Sequence, residues 1–208
     1  MLDQTPAPRK ASGVLYLHGF NSAGASPKAR LVKQACEHLG LDCSIPDLSA
    51  LASVALETAQ SCLEQLGPQP IVMGSSMGGF LATVLAQRND LRAVLINPAV
   101  RPVYLVESLL GQRFVNEYTG ERFSIEPRHR DQVAEVTPEH IDAWRYLLLV
   151  VTQDETLDSA QTVAAYRGAR MLIHPGGEHG FAALADYLPA MFAHAGYQLE
   201  AGKIGRVV

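Results

Sequence analysis

The residues of this chain that are best suited to chemistry lie in the segment Gly-Ser-Ser-Met-Gly at positions 74–78. An apolar run at 71–73 precedes it, so the segment is typical of a strand, a sharp turn and a helix with a serine at the apex, the Gly-x-Ser-x-Gly nucleophile elbow. The turn needs very small residues two positions before and after the serine. The motif therefore predicts Ser76 as the nucleophile of a serine hydrolase. Ser75 lies one position too early, and we interpret it as a neighbour.

A candidate acid follows the apolar run at 146–151. A serine hydroxyl is a poor nucleophile at neutral pH, so it needs a general base, and the base needs an acid to fix its tautomer. Asp154 lies a few residues beyond the predicted strand 146–151, whereas Glu155 and Asp158 reach further into the next element. We predict Asp154 as the acid, with Glu155 and Asp158 as rivals. The alternative for Asp154 is a turn residue or a helix cap.

The candidate base is His179, which follows the predicted strand 171–173. Gly176 and Gly177 precede it and would let the loop swing inward, which favours His179. His174 is the rival, but it lies at the strand end and is followed by proline. A surface position in the loop is the alternative for His179.

Two backbone N–H groups are candidates for an oxyanion hole, because acyl transfer builds negative charge on a carbonyl oxygen. One belongs to Met77, the residue after the nucleophile, where a helix begins. The other belongs to Phe20, in the segment His18-Gly19-Phe20-Asn21 directly after an early apolar run. We interpret His18 as a buried histidine that braces this loop, without a catalytic role.

Apolar runs alternate with segments of helical spacing along most of the chain, which predicts an α/β fold. About six strands are visible, and continuous apolar strands indicate a mostly parallel sheet with helices on both faces. The predicted strands lie at 14–17, 41–45, 71–73, 93–96, 146–151 and 171–173. Predicted helices include one from Pro27 to Gly40, one at 158–166 and one at 184–194. In such sheets the active site lies beyond the carboxyl ends of the strands.

The alternation breaks between residues 101 and 142, where no clean strand is visible. This segment carries prolines, arginines and aromatic residues, and we predict that it forms a cap over the carboxyl edge of the sheet. Its aromatic residues would line an acyl pocket, and they are Tyr104, Phe114, Tyr118 and Phe123. We expect a single domain, with a core at 13–100 and 143–196 and tails at 1–12 and 197–208.

Composition excludes several classes of partner. Of the 208 residues 48% are hydrophobic and 18% charged, and the formal net charge is −4, which gives no reason to expect a nucleic acid or an anionic membrane. No apolar run is long enough to span a bilayer. Residues 1–13 lack the pattern of a signal peptide and are expected to be a short mobile lead-in.

No cofactor or metal is expected. The cysteines at 36, 43 and 62 form no Cys-x-x-Cys pair, and they are typical of free thiols in a reducing compartment. His174 and His179 have the spacing nearest to that of a ligand pair, but no further Cys or His completes a set around them.

Four motifs together resemble the small bacterial esterases of the YqiA/YcfP type, a compact branch of the α/β-hydrolase superfamily. The resemblance covers about residues 13–196, and the tail beyond has no counterpart in it. The motifs are Tyr-Leu-His-Gly-Phe-Asn-Ser at 16–22, Gly-Ser-Ser-Met-Gly-Gly-Phe at 74–80, Thr-Gln-Asp-Glu at 152–155 and Gly-Glu-His-Gly-Phe at 177–181.

The resemblance implies a compact α/β-hydrolase fold and a cytoplasmic esterase that acts on small-molecule acyl esters, or on acyl thioesters. It also implies that Ser76, Asp154 and His179 form a catalytic triad, in the chain order Ser, acid, His of this fold. Transfer of the acyl group to an acceptor other than water remains an alternative, as does a binding protein that kept the fold and lost the reaction. The sequence does not indicate an oligomeric state.

Overall fold

The computed structural model describes residues 9–202 and 204. Residues 1–8 of the predicted lead-in therefore lie outside the described residues, as do residues 203 and 205–208 of the C-terminal tail. The described strands are β1 (Val14–Leu17), β2 (Cys43–Ser44), β3 (Ile71–Ser75), β4 (Ala93–Ile96), β5 (Arg113–Val115), β6 (Arg122–Ser124), β7 (Tyr146–Val151) and β8 (Arg170–His174). The described helices are α1 (Pro27–Leu39), α2 (Ala52–Glu64), α3 (Met77–Arg88), α4 (Pro102–Ser108), α5 (Pro127–Val136), α6 (Ser159–Ala165) and α7 (Leu184–His194), with a short 3₁₀ turn at Ala143–Arg145.

Six of the strands form one parallel sheet in the order β2-β1-β3-β4-β7-β8. The predicted α/β class and the number of strands are confirmed. Strands β1, β4 and β7 have the predicted bounds, whereas β2 is shorter than predicted and β3 extends to Ser75. The register pairs Leu17 with Gly74, Ser75 with Ile96 and Val151 with His174. Loops after these strands consequently meet at one edge of the sheet.

Alternate strand residues feed two separate cores, one on each face of the sheet. On one face Val14 and Met73 pack against α1 and α7. On the other face Leu15 and Val72 pack against α2, α3 and α6. Because successive strand residues point to opposite faces, strands that are buried on both faces have to be apolar throughout. This explains the continuous apolar runs of the sequence.

The cap segment, residues 101–142, contains α4, the antiparallel hairpin β5–β6 and α5. The sequence shows no clean strand here, yet the structure contains two, because each strand has only three residues and its pattern is mixed and partly exposed. Helices α4 and α5 pack on one another, and α5 packs on α2. The hairpin lies against the loop after β1, where Asn116 Nδ2 donates to Ser22 O at 2.8 Å. No helix among the described residues is long and apolar enough to cross a membrane.

At the end of α7, His194 is buried with its ring beside β7. Its Nε2–H donates to the carbonyl of Arg145 at 3.1 Å, and its Nδ1 has no hydrogen-bond partner within the described residues. Burial, together with the positive charges of Arg92 and Arg170, lowers the pKa of His194 to about 4. The folded protein therefore holds this imidazole neutral under mildly acidic conditions in which the unfolded chain protonates it.

We expect His194 to make folding stability depend on pH between its ordinary pKa of 6.5 and its folded pKa of about 4. Between these two values the unfolded chain is protonated at His194 and the folded protein is not. The stability that the neutral His194 contributes is therefore complete above pH 6.5 and is lost as the pH falls towards 4. The loss, at about 1.4 kcal/mol per pH unit, amounts to about 3 kcal/mol. Urea unfolding of the wild type and His194→Gln at a series of pH values measures it, since the amide keeps the donor and removes the titration.

The matched control for this measurement is His38→Gln, because His38 lies exposed on α1. It should keep the pH dependence of the wild type, while His194→Gln should flatten it. Identical slopes for the wild type and His194→Gln would contradict the assignment.

Candidate active site

Ser76 occupies a strained turn between the end of β3 and the start of α3. Its φ of 56° and ψ of −123° are unusual for a residue with a side chain, and they expose the hydroxyl at the apex. The backbone around it holds this conformation, because the Ser76 N–H donates to Ile96 O at 3.0 Å. The Ser76 carbonyl also accepts from the N–H groups of Gly79, Phe80 and Ala99.

The glycines at 74 and 78 are required because another stretch of backbone lies where their side chains would be. A Cβ on Gly74 would lie 2.2 Å from the carbonyl oxygen of Gly78, within the turn itself. A Cβ on Gly78 would lie 2.1 Å from the carbonyl oxygen of Leu17, at the end of β1. The two positions therefore exclude any side chain, which explains why the motif has glycine at both.

The structure brings Ser76, His179 and Asp154 into one hydrogen-bonded row. The Ser76 Oγ lies 3.0 Å from His179 Nε2, and His179 Nδ1 lies 2.8 Å from Asp154 Oδ2. The Asp154 side chain is only 2% exposed, against 19% for His179. With a neutral imidazole, Nδ1–H donates to the carboxylate and the serine hydroxyl donates to Nε2. This is the arrangement in which a histidine can take the serine proton.

The three candidate acids, Asp154, Glu155 and Asp158, have different contacts. Asp154 Oδ1 accepts from the N–H groups of Thr156 and Leu157, so the residue is a turn former as well as the partner of His179. Asp158 is the N-cap of α6, and its side chain accepts from two N–H groups of the first turn. Glu155 is exposed, and its Oε2 accepts the His179 N–H at 2.9 Å, which lowers the pKa of Glu155.

The loop that carries His179 is fixed by Asn97, a residue that the sequence did not single out. Asn97 follows β4 and is buried, with a φ of 41°. Its Oδ1 accepts the Val151 N–H at 3.0 Å, and its Nδ2 donates to His179 O at 3.3 Å. The sequence could have indicated Asn97 only by its position, since it directly follows a central strand, at the edge where the site is expected. The rival histidine, His174, instead contacts the Tyr187 hydroxyl at 3.0 Å.

The loop after β1 lies against Ser76. A Cβ on Gly19 would be 3.2 Å from Ser76 Cβ and 3.7 Å from Ser76 Oγ. His18 braces the loop, as its Nδ1–H donates to Gly19 O at 2.9 Å and its Nε2 accepts the Leu48 N–H at 3.0 Å. Burial lowers the pKa of His18, which keeps the ring neutral and suits these two opposite roles.

The two residues predicted as oxyanion donors belong to segments that meet at Ser76. Met77 is the first residue of α3, and Phe20 is in the loop after β1. Neither N–H donates a backbone hydrogen bond within the part of the chain that the structure describes. The Phe20 ring packs edge-on against Phe114 and Phe123 of the hairpin, at centroid distances of 5.0 and 5.7 Å. The cap segment therefore fixes the loop that carries the Phe20 N–H.

Two cavities lie near Ser76, and Ser76 itself lines one of them. The inner cavity lies between the cap segment and residues of α2, α3 and the loop after β1, and it has a volume of about 60 Å³. Its lining is mostly apolar and includes Phe20, Met77, Leu81, Leu105, Leu109 and Phe123. The outer pocket, of about 260 Å³, is more open, and its lining includes Tyr16, Ser26, Lys28, Ser76, Tyr118 and His179.

The aromatic residues of the cap segment are distributed differently from the prediction. Phe123 lines the inner cavity, Tyr118 lines the outer pocket, and Phe114 packs against both Phe20 and Phe123. Tyr104 is 68% exposed and lines neither. Within the described residues no group of three or more His, Cys, Asp and Glu side chains is placed to hold a metal ion.

The model of the uncharacterised protein family UPF0227 matches residues 13–196, which is most of the chain. The chain belongs to this family. The match has the same extent as the YqiA/YcfP resemblance, and it confirms that resemblance.

Solved structures of low sequence identity share the fold. A candidate hydrolase from Agrobacterium vitis S4 aligns with a TM-score of 0.65 at 22% identity, over 82% of this chain and 84% of that one. Est1E from Butyrivibrio proteoclasticus, solved with ferulic acid bound, aligns with a TM-score of 0.62 at 15% identity, over 94% and 90%. A monoacylglycerol lipase from Paleococcus ferrophilus aligns with a TM-score of 0.58 at 16% identity, over 82% and 87%. The α/β-hydrolase fold is thereby confirmed.

We expect Gly78→Ala to damage both stability and the site, because the new methyl group would collide with the Leu17 carbonyl. The backbone would have to shift, which should lower the free energy of unfolding by at least about 2 kcal/mol. Urea unfolding measures this loss. Gly180→Ala is the matched control, since its Cβ would meet only the Glu178 side chain, at 3.7 Å, and stability should change by less than about 1 kcal/mol. Equal stability of the two variants would contradict the argument.

Proposed function

We propose that this protein is a serine hydrolase that cleaves carboxylic esters through an acyl-enzyme. The observation that carries the proposal is the hydrogen-bonded row of Ser76, His179 and Asp154, at 3.0 and 2.8 Å, with its serine at the apex of a strained elbow. Strained conformations persist where the surroundings over-determine them, and they cluster at active sites. The hydrolase and lipase descriptions of the structural neighbours agree with this class of reaction.

In the first half of the proposed reaction, His179 Nε2 takes the proton of Ser76 as Ser76 Oγ attacks the ester carbonyl carbon. The carbonyl oxygen becomes an oxyanion, and the free N–H groups of Phe20 and Met77 donate to it. His179 then passes the proton to the departing alkoxide, and the alcohol leaves. Ser76 is left as an ester of the acyl group.

In the second half, water takes the place of the alcohol. His179 removes a proton from the water, which attacks the acyl-enzyme carbonyl, and the same two N–H groups hold the second oxyanion. Collapse returns the proton to Ser76 and releases the carboxylic acid. Asp154 stays ionised and holds the imidazole in the tautomer with Nδ1–H. A thioester would react through the same steps with a thiol as the leaving group, and an acyl acceptor other than water would replace only the second half.

The inner cavity would hold the acyl chain. Phe20 and Met77, which supply the proposed oxyanion donors, also line this cavity, so a carbonyl oxygen between their N–H groups would direct its acyl carbons inward. A volume of about 60 Å³ holds about four to six water-sized spheres, which corresponds to a short chain. In this proposal the cap segment is the roof of the acyl site.

We expect Ser76→Ala to reduce turnover of an activated ester on the order of a million-fold, with the fold retained. The nucleophile is lost outright, and only binding and oxyanion stabilisation remain. Steady-state hydrolysis together with labelling by a fluorophosphonate probe measures the loss, since only an activated serine reacts with the probe. Activity above about a hundredth of the wild type would rule out Ser76 as the nucleophile.

Among the acids we expect Asp154→Asn to slow turnover by about a thousand-fold or more, because an amide favours the wrong imidazole tautomer. Glu155→Gln should reduce turnover by less than about ten-fold, since Glu155 is exposed and accepts from the backbone N–H of His179, not from its ring. Asp158→Asn should leave turnover unchanged, because Asp158 serves as the N-cap of α6. A mild Asp154→Asn variant beside a severe Asp158→Asn variant would show that the acid is misassigned.

We expect the ratio kcat/KM for aryl esters to be greatest near butanoate and to fall for octanoate and longer acyl chains. A short chain fills the inner cavity, and a longer one must displace part of the cap segment. Leu109→Ala should move the maximum to longer chains, because Leu109 lines the cavity. The control Leu110→Ala should not move it, because Leu110 packs on the same core outside the lining. An unbroken rise in kcat/KM up to dodecanoate would contradict this acyl site.

A further inference from the structure

The outer pocket carries a cation for which the proposed reaction gives no use. Lys28 lies in the first turn of α1, and its side chain lines this pocket together with Ser76 and His179. Its ammonium donates to Gly180 O at 3.0 Å. An ammonium has three donors, so two are left for a ligand. Within residues 9–202 and 204, no carboxylate lies within ion-pair distance of it.

The positive charge of Lys28 lies at the end of α1 where a helix favours negative charge. The N-terminal end of a helix carries partial positive charge, which favours acidic residues there and disfavours basic ones. The first turn of α1 contains no acidic residue, and the Ser26 side chain makes no capping hydrogen bond. Partial burial lowers the pKa of Lys28, while the charges of Asp154 and Glu178 act in the opposite direction. An anion beside Lys28 would complement both the helix end and the ammonium.

A second donor in the same pocket lacks a partner. Tyr16 is fully buried on β1 and lines the outer pocket, and its hydroxyl makes no hydrogen bond within the described residues. The side chain of Ser75 is the polar group near the Tyr16 hydroxyl, but the two do not meet the geometric criteria of a hydrogen bond. Burial raises the pKa of the Tyr16 phenol, which therefore stays protonated. Buried hydroxyl groups without a partner are rare, and they call for a ligand or a functional explanation.

The outer pocket lies where the departing half of the substrate must go. The acyl chain is proposed to occupy the inner cavity, and His179 has to reach the leaving oxygen to protonate it. His179 lines the outer pocket and not the inner cavity. The leaving group is therefore beside Lys28 when the bond breaks.

We propose that the outer pocket binds an anionic group, a carboxylate or a phosphate, carried by the alcohol or thiol half of the substrate. The inference rests on the proposed function for the identity of the bond that is cleaved. The Lys28 ammonium forms charge-assisted hydrogen bonds with the anion, and the Tyr16 hydroxyl is the second donor. The anion also offsets the repulsion between Lys28 and the imidazolium that forms at His179 during the reaction. Substrates with this charge are preferred over neutral ones of the same shape.

The test compares phenyl butanoate with its meta-carboxy and meta-phosphono derivatives. For each protein we take the ratio of kcat/KM for the charged ester to that for the neutral ester. Because the intrinsic reactivities cancel between proteins, any change in the ratio reports binding of the charge. Lys28→Met should lower the ratio by about ten-fold or more, the effect of losing one charge-assisted hydrogen bond. The carboxylate and phosphonate arms show which anion the pocket prefers.

The matched control is Lys33→Met, which removes an exposed cation from the same helix. It should keep the wild-type ratio, and high salt should reduce that ratio only for proteins that retain Lys28. Lys28→Glu should reverse the preference, in favour of a meta-trimethylammonium ester. An unchanged ratio in Lys28→Met, or an equal fall in Lys33→Met, would overturn the proposal.

A binding measurement separates failure of this inference from failure of the proposed function. Calorimetric titration of Ser76→Ala with meta-hydroxybenzoate and with neutral meta-hydroxybenzyl alcohol needs no turnover. Tighter binding of the anion, lost on adding Lys28→Met, supports the site even if no ester is hydrolysed. Equal binding of the two compounds would overturn the anionic site even if ester hydrolysis is observed.

Discussion

The close approach of the Ser76 turn to the end of β1 is the constraint on which the rest of the site depends. Gly78 touches the Leu17 carbonyl so closely that no side chain fits between them, and Gly19 lies against Ser76 from the same side. The elbow and the loop after β1, which carry Met77 and Phe20, thus share one small space. In the proposed reaction, moving either backbone by about an ångström would separate Ser76 from the N–H groups of these two residues.

The histidine loop is held by a second set of contacts, and these depend on the order of the sheet. Because β4 lies between β3 and β7, Asn97 at its end can bond both the Val151 N–H and the His179 carbonyl. Glu155 accepts the His179 N–H, and Asp154 fixes its ring. The imidazole is therefore fixed through backbone and side chain at once. A base that is oriented in this way loses little freedom when it takes the serine proton.

The parts of the site that local chemistry encodes could be predicted from the sequence, and the parts that arise from tertiary contact could not. Ser76 was identifiable because its elbow needs glycines at fixed spacing, and Asp154 and His179 because they follow apolar strands. Asn97 and Lys28 belong to no motif, and their roles appear only once distant loops meet. The hairpin of the cap segment was missed because three-residue strands that are partly exposed leave no clear alternation.

The two sides of the nucleophile have opposite character, and the fold explains why. The inner cavity lies on the side of the sheet that packs against α2 and α3, under the cap segment, and most of its lining is apolar. The outer pocket lies at the start of α1 on the other face, where the helix end and Lys28 both contribute positive charge. An ester that spans both would bury its acyl chain on one side of Ser76 and keep its charge on the other. Discrimination would then come from the two halves of the substrate separately, with the scissile bond at the boundary between them.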